Sequence, residues 1–180
     1  MAVTVKKIAL WRVEMENKPG ALAGALAPLA QAGDDLQVVL GYGDPEGSAR
    51  GIAGVFPVQG KKVIDAAKKA GFALAQTPAL LVEGDNRIGL GHVLAQALAD
   101  AGVNIGYLAA QAIGKKFSAV YGFASDEDAK KGSAIIKKAS AARKPAAKKP
   151  AANKPAARKV AATKVAAKKT TAKKPAAKSK

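Results

Sequence analysis

The sequence predicts an α+β protein made of two copies of one strand-helix-strand-strand-helix-strand unit, followed by a basic C-terminal arm. The first observation is a repeat. The segment from Arg12 to Tyr42 recurs at Leu81 to Gln111, with Glu14/Glu83, Asn17/Asn86, Gly20/Gly89 and Gly33/Gly102 all separated by 69 residues. A fixed offset of this kind marks an internal repeat. The second is that the apolar period in each copy switches between about 2 and about 3.6, the periods of strand and helix. The third is charge: residues 1–136 carry 14 of the 30 Lys/Arg and all 13 Asp/Glu, and the other 16 cations follow without an acid.

In the first copy, Trp11, Val13 and Met15 alternate with Arg12 and Glu14, giving one strand between Ile8 and Met15 with a single buried face. Pro19 suits the first helical position, placing Asn17 or Lys18 near the helix start. Leu22, Leu26 and Leu29 follow at helical spacing, and Gly33 reads as the stop. Pro28 is a misfit expected to shorten or kink this helix. Leu36, Val38, Leu40 and Tyr42 make a second strand, residues 43–50 a loop, and Gly51 to Val58 a third strand. Lys61 to Ala70 is a helix with Val63, Ile64 and Ala67 on one side, and Phe72 to Gln76 supplies a fourth strand.

The second copy repeats this order. Leu80 and Val82 open it, and Leu90, Val93, Leu94, Ala97 and Leu98 form a helical stripe. Val103, Ile105 and Tyr107 alternate as a strand, as do Phe117, Ala119, Tyr121 and Phe123 after a Gly114-Lys115 turn. Asp126 to Ala139 is the second helix, with Asp126, Glu127 and Asp128 in the first turn, where the helix dipole favours acids. No fourth strand follows. The domains are therefore 6–77, 78–139 (truncated) and the arm, 140–180.

In the arm, Lys144, Lys149, Lys154, Lys159, Lys164, Lys169 and Lys174 recur every five residues, joined by Lys148, Arg158, Lys168 and Lys173 and separated largely by Ala and Pro. Two valines are its bulkiest apolar side chains, too little to offset the entropy of ordering, so the arm is expected to be disordered alone. A five-residue step on a helix turns successive lysines by about 140°, leaving no apolar face for a membrane. Its composition resembles the C-terminal tails of linker histones and of bacterial histone-like proteins. The expected partner is DNA or RNA, bound through these cations by counterion release and without base readout.

Cysteine is absent, which excludes disulfides, thiolate zinc sites and a Cys nucleophile. No apolar run reaches the ~18 residues of a membrane span, and the N-terminus has no signal-peptide pattern. Cytoplasmic localisation is expected, with nucleoid association through the arm. The only histidine is His92, expected on a helix surface, and the acids are scattered on turns. No triad, metal cluster or spaced carboxylate pair assembles, so the chain is read as a non-enzyme without metal or cofactor. The Gly89-Leu90-Gly91 and Gly41-Tyr42-Gly43 runs are too short for nucleotide loops.

The Asn17-Lys18-Pro19-Gly20 turn, the Leu/Ala helix after it and Gly33 before a strand resemble ACT domains, the small ligand-binding modules attached to many amino-acid metabolic enzymes. Both copies match, over about residues 6–139. The resemblance implies a ferredoxin-like (βαββαβ) sandwich in each copy, pairing of modules, and an amino acid or similar effector at their interface. It carries the effector contacts onto Asn17, Lys18, Gly20, Ala21 and Asp35 in copy one, and onto Asn86, Arg87, Gly89, Leu90 and Asn104 in copy two. Amide groups suit the carboxylate and ammonium of a zwitterion, and glycine at a helix start lets backbone N–H groups approach the carboxylate. Copy two keeps both asparagines and is favoured for binding. Three departures stand out: Ile88 replaces the usual proline, Asp35 replaces asparagine, and copy two lacks its last strand. The third leaves a sheet edge to be paired with another chain, as in a homodimer, or otherwise protected. Two functions stay open: an effector-sensing regulatory protein with a nucleic-acid-binding arm, or an architectural, histone-like DNA-binding protein whose head only dimerises.

Overall fold

The computed structural model describes residues 3–43 and 49–141. The arm with its lysines, the expectation of its disorder and the middle of the 43–50 loop lie outside the described residues. The elements are β1 (Thr4–Ile8), β2 (Trp11–Glu16), α1 (Ala21–Ala32), β3 (Val38–Gly43), β4 (Arg50–Phe56), α2 (Lys61–Lys69), β5 (Ala73–Leu74), β6 (Ala79–Asp85), α3 (Leu90–Asp100), β7 (Tyr107–Ile113), β8 (Lys116–Gly122) and α4 (Asp126–Ala141).

They form two antiparallel four-stranded sheets, β3-β4-β2-β5 and β7-β8-β6-β1. The orders are the same, except that β1 takes in the second sheet the place that β5 takes in the first. As expected, no strand follows α4 among the described residues. The edge left there does not wait for another chain: Thr4 pairs with Glu83 and Ile8 with Ala79, so the N-terminus supplies the fourth strand. The single strand expected between Ile8 and Met15 is therefore corrected to two, β1 and β2, which belong to different sheets. The boundary drawn at residue 6 cuts through β1.

The sequence explains this placement. Val3 and Val5 pack into the second module's core, while Ile8 points to the opposite face, the two-sided register of a strand. Gly84 lets it approach, since a Cβ there would lie 3.0 Å from the Val3 Cα. Lys7 also bridges at 2.8 Å to Asp126 at the start of α4, an exposed pair worth about 0.2–1 kcal/mol.

Each sheet buries one face under two helices. Val13, Ala53 and Val55 meet Leu29, Val63, Ala67 and Phe72 in the first module. In the second, Leu80, Val82, Phe117, Ala119 and Tyr121 meet Leu90, Leu94, Leu98 and Ile136. The alternate residues Ala79, Leu81 and Val120 join Ile8, Leu10 and Val38 in a third cluster drawn from both modules, so the sheets also pack on one another through their helix-free faces. Tandem copies thus pair within one chain.

Element ends differ from the sequence reading in a consistent way. β3 and β7 begin at Val38 and Tyr107, two residues after the equivalent Leu36 and Ile105, which instead pack as loop residues against the cores. β5 is only two residues long. α1 runs through Pro28 without a break; the carbonyl that the missing N–H would have met belongs to Gly24, where no side chain adds to the crowding.

Candidate functional site

The two turns that follow β2 and β6 are built alike. Gly20 and Gly89 cap α1 and α3 with φ of 84° and 78°, a left-handed conformation that only glycine adopts without strain. Ala21 N–H donates to the Lys18 carbonyl, and Leu90 N–H to that of Arg87. This corrects the expected helix start, because Pro19 precedes the helix and no side chain caps either one. The asparagines are held through their backbones instead, Asn17 N–H on the Ala49 carbonyl and Asn86 N–H on that of Lys115, each at 2.7 Å.

Around the first turn the chain leaves a cavity of about 220 Å³. Asn17, Lys18 and Ala21 form one side, Gly41, Tyr42 and Gly43 of β3 the other. The glycines make the room: a Cβ on Gly43 would stand 3.0 Å from the Asn17 amide nitrogen, and one on Gly41 3.6 Å from Leu22. Lys18 supplies the cation and is ion-paired with Glu16. Of the copy-one residues, Gly20 caps the neighbouring helix but does not line the cavity. Asp35 is exposed beyond the far end of β3, a six-residue strand of about 17 Å. A ligand touching Asn17 therefore cannot also meet Asp35 of the same module.

The second turn is arranged differently around its cation. Arg87 is partly buried and donates from Nη2 to the Ala139 carbonyl in the last turn of α4, at 3.3 Å. Gly89 is its helix cap, Leu90 is buried in the core, and Asn86 and Asn104 are exposed. Nearby, Asp85 accepts a 2.8 Å hydrogen bond from Lys116, which holds its carboxyl below the usual range. Ile88, in the place of the usual proline, is fully exposed.

Sequence reasoning did not find a third feature, a cavity of about 80 Å³ between the modules, bounded by Leu10, Arg12, Leu40, Tyr42, Thr77 and Tyr107 among others. Burial, with a smaller contribution from Tyr42, pushes the Tyr107 hydroxyl up to about 12. Tyr107 lies across the strand from Gly122, where a Cβ would fall 1.9 Å from the ring. The pairing of a lone glycine with an aromatic on the next strand was the available signal.

His92 is exposed, and among the described residues no group of three or more His, Asp or Glu is placed to hold a metal ion. No helix among them is long and apolar enough to cross a membrane. The arrangement offers amide, ammonium and backbone groups for binding.

No family model and no curated protein matches the sequence. Solved structures do. Protein BT0572 from Bacteroides thetaiotaomicron superposes with a TM-score of 0.59 at 22% identity, over 71% of this chain and 87% of that one. The ligand-free regulatory subunit of aspartate kinase from Thermus thermophilus gives 0.54 at 16%, over 77% and 97%. The corresponding subunit from Thermus flavus gives 0.51 at 15%, over the same shares. At these identities the likeness is one of fold, and the fold is α+β: two ACT-like modules of ferredoxin type, each an antiparallel sheet backed by two helices.

Proposed function

We propose that the chain is a non-catalytic regulatory protein that binds a small effector, an amino acid or a close relative, and engages nucleic acid through its basic arm. The observation that carries the effector half is the cavity at the first turn. At about 220 Å³ it is smaller than the ~300–1,000 Å³ of sites for drug-sized ligands, which suits a metabolite of amino-acid size. It combines the Asn17 amide and the Lys18 ammonium with a glycine wall. The sequence alone favours the second copy, but this geometry moves the preference to the first. Asp35 and Asn104 are left to a contact across an interface. Titrating the standard amino acids at millimolar concentration tests this half: one should raise the melting temperature, since a ligand specific for the folded state stabilises it. No shift from any of them would favour the architectural reading.

The arm rests on composition: 16 cations from residue 137 onward face no acid in that segment. Full-length protein should retard duplex DNA at low salt, with affinity falling steeply as salt rises. A chain ending at Ala139 should not, and equal retardation by both would remove the arm from the account. Because β1 closes the second sheet, the open-edge reason for a homodimer falls away. A dimer would need another surface.

A further inference from the structure

The last turn of α4 is the point where three parts of the chain meet. Helix C-termini leave carbonyls without intrahelical partners, and cations there are favoured by the dipole. Here Arg87 donates to the Ala139 carbonyl at 3.3 Å. Ser140, 1% exposed, donates from Oγ to the Lys137 carbonyl at 2.9 Å and accepts the Val3 N–H at 3.5 Å. So the second turn and the N-terminal strand both tie down the end of α4. Two residues after that end, at Arg143, the run of arm cations begins. The first turn has no such link, since Lys18, the equivalent of Arg87, pairs with Glu16 beside it.

We infer that Arg87 is a latch between the second effector turn and the root of the basic arm, released when an anionic ligand takes the guanidinium. The proposal rests on the regulatory reading above. The energetics favour exchange: a bidentate carboxylate-guanidinium pair is roughly twice as strong as a bond to a neutral acceptor. A carboxylate at the turn therefore draws Arg87 from Ala139, the last turn of α4 frays, and the free length of the arm grows. Linkage makes the effect reciprocal, so a polyanion that straightens the arm root raises effector affinity by the same factor. Breaking the latch also weakens binding at the second turn relative to the open first turn.

Hydrogen exchange on the full-length chain tests it, read at amides 137–141. Arg87→Gln without ligand should speed their exchange about tenfold, the scale of a lost hydrogen bond to a charged group. Arg87→Lys should fall between, and Lys18→Gln should change nothing there. Unchanged exchange in Arg87→Gln, with its melting temperature retained, overturns the latch. Any standard amino acid that raises the melting temperature should speed exchange at 137–141 in the unaltered chain and not in Arg87→Gln. Stabilisation without that loosening overturns the coupling and leaves the regulatory reading standing. If no amino acid stabilises the protein, the regulatory reading and the coupling fall together, while the ligand-free Arg87→Gln result still decides whether Arg87 holds the helix.

Discussion

The two modules share a strand order and a turn chemistry but close their sheets differently. The first ends on its own two-residue β5, the second on five residues taken from the N-terminus. A repeat unit can thus lose an element in sequence without losing it in space, provided another stretch offers the right two-faced alternation. The second module depends on a segment more than 70 positions away, whereas the first closes locally. Their turns diverge likewise: the first opens onto a cavity, and the second is bound to α4.

Removing residues 1–8 should have the largest effect. It takes away the strand facing Ala79 to Glu83 and uncovers a core edge, so the second module should unfold while Leu74→Pro in the first costs little. Chemical denaturation followed by the lone Trp11 and by far-UV circular dichroism would separate the two. Ile8→Ala, which removes one side chain from the cluster between the sheets, should cost about 2–4 kcal/mol. Tyr121→Phe works the other way. The Tyr121 hydroxyl is buried without a hydrogen-bond partner, so its removal should leave stability unchanged or raise it by about 1 kcal/mol.

A smaller effect belongs to alkaline pH. Tyr107 titrates near 12 in the folded chain, against 10 for the free phenol. The folded state therefore holds this proton longer than the unfolded state. The contribution is complete below pH 10 and is lost between about 10 and 12. Tyr107→Phe should flatten that part of the stability curve. Lys7→Ala should be the mildest change, within about 1 kcal/mol, because the pair with Asp126 is exposed.

Much of this architecture was legible in the sequence. The 69-residue offset located both turns, and the α3 stripe is buried at Leu90, Leu94 and Leu98 as its period requires. What the sequence hid was non-local. Thr4 to Ile8 has the pattern of a strand, but nothing in it says which sheet it joins. The starts of β3 and β7 were misplaced because Leu36 and Ile105 are apolar for reasons of core packing, and alternation cannot tell such a loop residue from a strand residue. At the site, the turn residues were found by type and spacing. The cavity was not, since it depends on Gly41 and Gly43 of a different strand coming opposite Asn17. Arg87 was singled out as a ligand contact, while its bond to Ala139, 52 residues away, had no sequence signal.

The central claim, that the first turn is a small-effector site, is tested most directly by following Asn17 itself. In a nitrogen-15 NMR titration with the amino acid that most raises the melting temperature, the Asn17 side-chain amide and the backbone amides of Ala21 and Gly43 should shift and saturate together. Asn17→Ala should then abolish or strongly weaken the saturation at Ala21 and Gly43. Saturating shifts confined to other parts of the fold, with these groups unmoved, would contradict the account.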